Sequence, residues 1–263
     1  GAYNAANPIK NFYNSVMARG ERVIAISDFI ANQIQQCHRI ENDRIVTIHR
    51  GVDVDLFDPQ KTSAERIIQL ANAWRLQDGM PVIMLPGRLT RWKGQSVLID
   101  ALGHLGRDDV RCLLVGSDQG RNRYRQELDK LVRDHGLQHI VHIVDNCSDM
   151  PAAYMLADVV VSASTDPEAF GRVAVEAQAM GRPVVASDHG GARETVLPRQ
   201  TGWLVTPDDP KSLAAVIANA ITLDVGARAR MAEVARANVL KRFNVDQMRS
   251  ATIDVYQQVL GTA

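Results

Sequence analysis

The sequence predicts an α/β protein built on a Rossmann-like, doubly wound parallel sheet. Short apolar runs rich in Val, Ile and Leu alternate with longer amphipathic segments, the pattern of strands joined by crossover helices. Glycine follows several of these runs, where the chain must turn tightly into the next helix. With 263 residues, 46% of them hydrophobic, the chain can bury a sizeable core in one or two domains.

The apolar runs predict the strands in chain order. They are VIAI (23–26), IVTI (45–48), VIML (82–85), CLLV (112–115), IVHIV (140–144), VVVSA (159–163) and PVVAS (183–187). The segments between and after them predict helices near residues 95–105, 121–134, 170–180, 211–223, 227–241 and 245–260.

The segment before Arg50 supplies too few elements for a doubly wound domain of its own. Either it adds strands to the main sheet or it is the end of a domain whose beginning is missing. We favour the second interpretation, because residues 23–51 have the pattern of a strand, a helix and a strand that lead into a turn-rich connection at residues 50–59.

Charge and cysteine content exclude several functions. Thirty Lys and Arg balance thirty Asp and Glu, so a global basic field for nucleic acid is absent, and a local basic groove is the alternative left open. The three cysteines form no close pair, which favours reduced thiols over a disulfide framework or a zinc site. No apolar run approaches the ~20 residues of a membrane span, and no signal peptide opens the chain. We therefore expect a cytoplasmic protein.

Two acids, Glu168 and Glu176, bracket the stretch EAFGRVAVE. The preceding run, residues 158–164, predicts a buried strand, so Glu168 lies in the loop at its carboxyl end. A helix is expected to begin near residue 170 or 171 and to end at Gly181, with Glu176 roughly 8 Å beyond its start. Free N–H groups at a helix N-terminus suit a phosphate.

One loop acid and one helix acid thus flank a predicted phosphate site. This arrangement fits a ligand that carries hydroxyls on both sides of a diphosphate, such as a nucleotide-sugar. The alternative is a pair of ordinary surface acids. Against it, the helix around Glu176 has little polar surface, so its carboxylate needs a partner.

A second loop, LPGRLTRWKGQ (85–95), follows a predicted strand and opens a helix. Gly87 permits a tight turn at the sheet edge where open α/β sheets bind ligands. Arg88 and Lys93 could neutralise a diphosphate there as its bond to a sugar breaks. A solvated basic loop is the alternative that this motif alone leaves open.

The remaining glycine-rich turns bear on which classes of enzyme the sequence favours. LLVGSDQGR (113–121) lacks the G-x-G-x-x-G spacing, which disfavours a dinucleotide dehydrogenase, and Gly116 is expected to permit a close backbone approach. In SDHGGARE (187–194), paired glycines precede Glu194, which caps a helix or is solvated. H-E-x-x-H, C-x-x-C and G-x-S-x-G are absent from the sequence, so metal-dependent hydrolysis and a nucleophile elbow lack support.

Taken in order, these stretches resemble the retaining glycosyltransferases of family 4, which have the GT-B fold. The resemblance is carried by RVIAISDFI, IHRGVDVDLFDP, PGRLTRWKGQ, LLVGSDQG, DMPAAYMLADVVVSAS, PEAFGRVAVEAQAMGRPVVAS, GGARE and TGWLV. It implies the C-terminal half of a GT-B fold with a remnant of the N-terminal domain. The implied parts are residues 1–50 (acceptor-domain remnant), 51–60 (linker), 61–241 (donor-binding domain) and 242–263 (a helix crossing back).

The resemblance also implies roles for the predicted site. Arg88 and Lys93 would hold the donor diphosphate, Glu176 the ribose hydroxyls and Glu168 the transferred sugar. Backbone amides of Phe170 and Gly171 would assist at the phosphates and the sugar. Gly87 and Gly116, whose turns lie at the same sheet edge, are further candidate donor contacts, and an ordinary strand-to-helix turn is the alternative for Gly116. No metal or other cofactor would be required, because the two cations and the helix N-terminus supply the positive charge.

The implied reaction moves a sugar from a nucleoside diphosphate to a hydroxyl of a carbohydrate or lipid-linked acceptor, with retention at the anomeric carbon. Surface polysaccharide synthesis and a peripheral contact with the inner face of the cytoplasmic membrane, through the missing N-terminal domain, are further implications. Two other functions stay open. One is a nucleotide-sugar binding module or partner subunit without turnover, and the other is a nucleotide-sugar epimerase.

Overall fold

The computed structural model describes residues 15–38, 40–120 and 122–261, and it has an α/β architecture. The strands are β1 (Val23–Ala25), β2 (Ile45–Thr47), β3 (Val82–Pro86), β4 (Arg111–Val115), β5 (Val141–Val144), β6 (Val159–Ser162), β7 (Val184–Ser187) and β8 (Gly202–Val205). The α-helices are α1 (Asp28–His38), α2 (Ala64–Ala73), α3 (Gln95–Leu105), α4 (Asn122–Asp134), α5 (Met150–Leu156), α6 (Arg172–Ala179), α7 (Ala192–Thr195), α8 (Pro210–Ile221), α9 (Val225–Arg242) and α10 (Val245–Leu260).

A six-stranded parallel sheet in the order β5-β4-β3-β6-β7-β8 forms the centre of the larger part. Alternate residues of β3 enter two different cores, one on each face: Ile83 and Leu85 on one side, Val82 and Met84 on the other. A strand covered on both faces needs apolar residues at every position, which explains the continuous run in the sequence. The predicted doubly wound α/β fold is confirmed.

The strand order places a switch point between β3 and its two neighbours. From β3 the chain builds β4 and β5 outward on one side, and it then crosses back to place β6 on the other side of β3. Crevices at the carboxyl ends of such strands are where open α/β sheets bind ligands. The loops that follow β3 and β6 contain Lys93 and Glu168, so the topology brings both predicted loops to one crevice.

The N-terminal part forms a separate two-stranded parallel sheet, with Val23 opposite Ile45. Its small core includes Ile30 and Ile34 of α1. Among the described residues, β1 and β2 pair only with each other, so the alternative in which they extend the main sheet is wrong. The opening stretch, residues 1–14, lies outside the described residues, and the domain limits stay a prediction.

Two chain segments run side by side where this N-terminal part meets the rest. The Val52 N–H donates to the carbonyl of Phe243 at 2.8 Å, and the Val245 N–H donates to the carbonyl of Val52 at 3.0 Å. Gly51 is essential to this contact, because a Cβ added there would lie 2.3 Å from the Cα of Val245. The linker and the start of α10 are therefore packed backbone against backbone.

Three elements were absent from the sequence predictions. The edge strand β8 is only partly buried, α5 is a seven-residue helix, and α2 buries none of its side chains fully, so each has a weak periodic signal. The helix α6 begins at Arg172, later than predicted, because Gly171 adopts a left-handed φ of 87° and caps the helix from outside it. The predicted start of α4 at Arg121 lies outside the described residues.

Taken singly, none of the described helices is long and apolar enough to cross a membrane. The consecutive helices α8 and α9 together have the length and apolar composition of a membrane span, but they are bent by 107° relative to each other.

Candidate functional site

The structure joins two of the predicted residues directly. The Lys93 ammonium, from the loop after β3, lies 2.8 Å from Oε1 of Glu168, from the loop after β6. The two side chains are only 14% and 13% exposed. Both ends of this ion pair thus lie in the crevice, with one cation and one anion held side by side.

Hydroxyl groups complete the surroundings of the Glu168 carboxylate. Ser164 Oγ and Ser162 Oγ both donate to Oε1, the latter at 3.4 Å. Burial alone would raise the pKa of Glu168, but the Lys93 ammonium and these hydrogen bonds outweigh burial and lower the pKa from its ordinary value. The side chain is therefore an ionised hydrogen-bond acceptor at neutral pH and is unsuited to act as a general acid.

Glu176 lies one turn inside α6 and has different partners. The phenol of Tyr154, which is fully buried in α5, donates to its Oε2 at 2.8 Å. The exposed Arg172 approaches Oε1 at 3.1 Å. Burial raises the pKa of Glu176, and the hydrogen bond from Tyr154 and the charge of Arg172 only partly oppose it. The predicted need for a partner is met by a residue that the sequence interpretation had left unassigned.

The glycines at the ends of β3 and β4 are in backbone contact. A Cβ added to Gly116 would lie 2.1 Å from the carbonyl oxygen of Gly87, so the close approach expected at Gly116 is real, and its partner is Gly87. The next residue, Arg88, has an exposed side chain that makes no hydrogen bond or ion pair with another described residue. Its guanidinium is exposed, and the structure does not join it to Lys93 or Glu168.

The N-terminus of α6 is the remaining part of the site. Gly171 is its N-cap, and the preceding Phe170 is buried against Phe243, with ring centroids 5.5 Å apart. The first-turn N–H groups of a helix carry partial positive charge and suit an anion. Glu168 precedes this turn and Glu176 follows it along the chain, as predicted, although the two carboxylates do not touch.

Several site residues were missed by the sequence interpretation. Ser162 and Ser164 are two positions apart at the end of β6 and point to one side, so the period of a strand could have revealed them. His189, whose Nε2 lies 2.7 Å from the carbonyl of Ser164, and Tyr154 reach the site from other loops and helices. Only tertiary structure shows those contacts.

One cluster among the described residues brings three potential metal ligands together. Atoms of Asp28, His49 and Glu194 lie within 4.8 Å of one another. The two Glu194 oxygens already accept hydrogen bonds from two backbone amides and face His49 Nε2 at 2.9 Å. We interpret this cluster as a hydrogen-bonded contact between two parts of the chain.

A doubly wound parallel sheet with a cation, a carboxylate and a helix N-terminus at its switch point is an arrangement that suits a phosphorylated ligand. Comparison with known protein families identifies the family to which the chain belongs. Residues 67–238 match the family described as "Glycosyl transferases group 1", and residues 3–56 match the one described as "Glycosyltransferase Family 4". The chain belongs to the group 1 glycosyltransferase family.

Individual relatives and solved structures support the same family. A D-inositol 3-phosphate glycosyltransferase of Xylanimonas cellulosilytica is 37% identical over 248 residues, which are 90% of this chain and 58% of that protein. The crystal structure of a glycosyltransferase from Rickettsia africae superposes with a TM-score of 0.92 at 34% identity, covering all of this chain and 70% of the other. The crystal structure of Anabaena HepE in complex with UDP-glucose superposes with a TM-score of 0.88 at 30% identity, and the match covers 97% of this chain and 71% of the other. The chain spans little more than half the length of the first of these.

Proposed function

We propose that the protein transfers a sugar from a nucleoside-diphosphate sugar to an acceptor hydroxyl with retention of configuration, and that this chain is the donor-binding half. The observation that supports the proposal most strongly is the Lys93–Glu168 pair beside the α6 N-terminus, at the switch point of the sheet. The likeness to HepE, whose structure was solved with UDP-glucose, supports the same class of donor.

In this proposal the positively charged groups of the site bind the diphosphate. An ammonium has three donors, so Lys93 can keep its contact with Glu168 and still donate to a diphosphate oxygen. Arg88, which follows the end of β3, supplies a second cation, and the α6 amides add partial positive charge. Negative charge grows on the diphosphate as the sugar leaves, and these fixed groups stabilise it in the transition state.

The two acids sort the hydroxyls of the donor. Glu168 is ionised and accepts hydrogen bonds from the transferred sugar, next to the cation that holds the phosphate. Glu176 accepts from two neighbouring ribose hydroxyls while Tyr154 fixes its orientation. Carboxylates used as acceptors in this way set the position of the donor and leave the departing charge to the cations.

Binding of the donor can be tested on this chain by calorimetry with UDP, GDP and ADP and with the corresponding sugar nucleotides. Lys93→Ala and Glu176→Ala should each weaken binding by about 1.5–3 kcal/mol, the contribution of a hydrogen bond to a charged group. The exposed Glu233→Ala, on α9, is the matched control and should leave binding unchanged. Unchanged affinity in both site variants would contradict the proposed site.

Transfer is tested on the protein at its full natural length. Release of free nucleoside diphosphate only when an acceptor hydroxyl is added supports the transferase. Isomerised donor would support an epimerase, and tight donor binding without turnover on any acceptor would support a binding module.

We further propose that the reaction needs no divalent metal; the proposed roles of Lys93, Arg88 and the α6 N-terminus support this, because these groups can offset the diphosphate charge. Turnover should therefore survive a chelator at an excess over any metal present. Loss of activity with a chelator and its recovery on adding Mg²⁺ or Mn²⁺ would contradict this part of the proposal.

A further inference from the structure

The start of α1 is held by a residue from a distant part of the chain. Oε2 of Glu194, in α7, accepts the Asp28 N–H at 2.9 Å, and Oε1 accepts the Phe29 N–H at 2.7 Å. His49 Nε2 lies 2.9 Å from Oε2 of the same carboxylate. Glu194 thus supplies an N-cap to a helix of the N-terminal part from within the donor-binding part.

A second contact joins α1 to the loop of the donor site. Ser27, which is fully buried, accepts the Ile30 N–H at 3.1 Å and donates its hydroxyl to the carbonyl of Ala169 at 2.5 Å. Ala169 stands between the sugar-binding Glu168 and the cap of α6. The loop of residues 168–171 is therefore tied to the N-terminal part through its own backbone.

The other side of that loop is tied to the segment that carries Glu194. The Gly191 N–H donates to the carbonyl of Glu168 at 2.8 Å. A Cβ added to Gly191 would lie 2.5 Å from the Cα of Phe170, and one added to Gly190 would lie 2.5 Å from the carbonyl of Glu168. The loop is thus clamped between the paired glycines and the start of α1.

Aromatic packing gives a third link. The rings of His49, Phe170 and Phe243 form a triangle: the His49 centroid lies 6.3 Å from Phe170 and 5.5 Å from Phe243, and the two phenylalanines are 5.5 Å apart. Phe170 immediately precedes the cap of α6. Through His49, the hydrogen bond to Glu194 and the packing of the donor loop belong to one cluster.

We propose that Ser27, His49 and Glu194 form an interdomain latch in which Glu194 is a positioning residue: it couples docking of α1 to donor binding by fixing the loop of residues 168–171. This inference rests on the proposed function. None of the three residues needs to touch the donor. Coupling between two sites is reciprocal, so a ligand that requires the loop in this position must also strengthen the contact at α1.

Hydrogen exchange of the full chain tests the coupling without any substitution. The Asp28 and Phe29 amides donate hydrogen bonds to the Glu194 carboxylate. Exchange is therefore measured at these two amides with and without saturating UDP, GDP or ADP. We expect the bound nucleotide to slow their exchange on the order of tenfold. Unchanged exchange at both amides while the nucleotide is bound would overturn the latch.

Variants give the reciprocal measurement. Glu194→Ala should weaken nucleoside diphosphate binding on the order of tenfold at a temperature where circular dichroism shows a fully folded chain. Glu194→Gln keeps the size and one acceptor, and it should recover part of the affinity. It should also restore part of the nucleotide-dependent protection at α1. A Glu194→Ala variant that is less stable yet binds with unchanged affinity would show a purely structural contact and would overturn the proposal.

The two proposals fail in different ways. If the wild-type chain binds no nucleoside diphosphate, the proposed function fails and the latch fails with it. If the wild-type chain binds one and Lys93→Ala weakens binding, but Glu194→Ala does not, only the latch is refuted.

Discussion

Replacing Lys93 by methionine should destabilise the protein in a way that depends on pH. The substitution keeps an unbranched side chain beside Gly87 and removes the ammonium that lies 2.8 Å from Glu168. In the wild-type protein the pKa of Glu168 is lowered, although burial opposes this shift. Without the ammonium, burial becomes the dominant influence, and we expect the pKa of Glu168 to rise above its ordinary value.

The magnitude follows from the burial of the pair. Removing one partner of a fully buried ion pair costs about 3–5 kcal/mol, because it leaves an uncompensated charge. Here the two side chains keep 14% and 13% exposure, and the hydroxyls of Ser164 and Ser162 still donate to the carboxylate. We therefore expect a loss of about 2–3 kcal/mol in the free energy of unfolding near neutral pH.

The sign of the pH dependence separates charge from packing. A lowered pKa in the folded wild-type protein stabilises it above the unfolded value of about 4.3, and this contribution is lost as pH falls through the folded pKa. A raised pKa in the variant stabilises the folded form at low pH and is lost as pH rises. The difference between the two proteins should therefore be smallest at pH values below the lowered pKa of Glu168 in the wild-type protein, and it should grow as the pH rises toward about 7.

Urea unfolding monitored by circular dichroism measures this difference at a series of pH values. Lys61→Met is the matched control, since Lys61 pairs with Asp55 at an exposed site and should show almost no change. A constant gap between Lys93→Met and wild type at every pH would refute the reasoning, because it would mean that the loss comes from packing alone.

Three further predictions concern Gly51, Tyr154 and Glu168. Gly51→Ala should cost about 3 kcal/mol or more by forcing apart two packed backbone segments, whereas Gly226→Ala, whose Cβ would meet only side-chain atoms of Arg230 and of the helix cap Asp224 at 3.2 Å, should lower the melting temperature far less. Tyr154→Phe removes the hydrogen bond to Glu176 and should weaken UDP binding by about 1 kcal/mol but leave binding of 2′,3′-dideoxy-UDP, which lacks both ribose hydroxyls, unaffected; equal losses in calorimetry would contradict that role. Glu168→Gln should abolish turnover with only a modest loss of UDP affinity, and equal damage to the binding of UDP and UDP-sugars would count against it.

The sequence predicted the sheet and the two loops at its edge because these features are local. A continuous apolar run followed by glycine predicts a buried strand and its turn, and this placed Lys93 and Glu168 at carboxyl ends of strands. The order of the strands is not local. That β3 lies beside β6, which makes the two loops neighbours, became known only from the structure.

Contacts between distant segments account for what the sequence did not show. Tyr154 lies in a short helix with a weak periodic signal, and its hydrogen bond to Glu176 depends on how α5 packs. Glu194 could be assigned only a cap or a solvated position, since the amides it caps are 165 and 166 residues away. Local patterns identify such residues as polar, while their partners are determined by tertiary packing.

A crystal structure of this chain with bound UDP-sugar tests the central claim most directly. We predict the diphosphate against Arg88, Lys93 and the N-terminus of α6, with the ribose on Glu176. A ligand bound instead in another groove, such as the one lined by Arg199, Trp203 and Arg230, would contradict it.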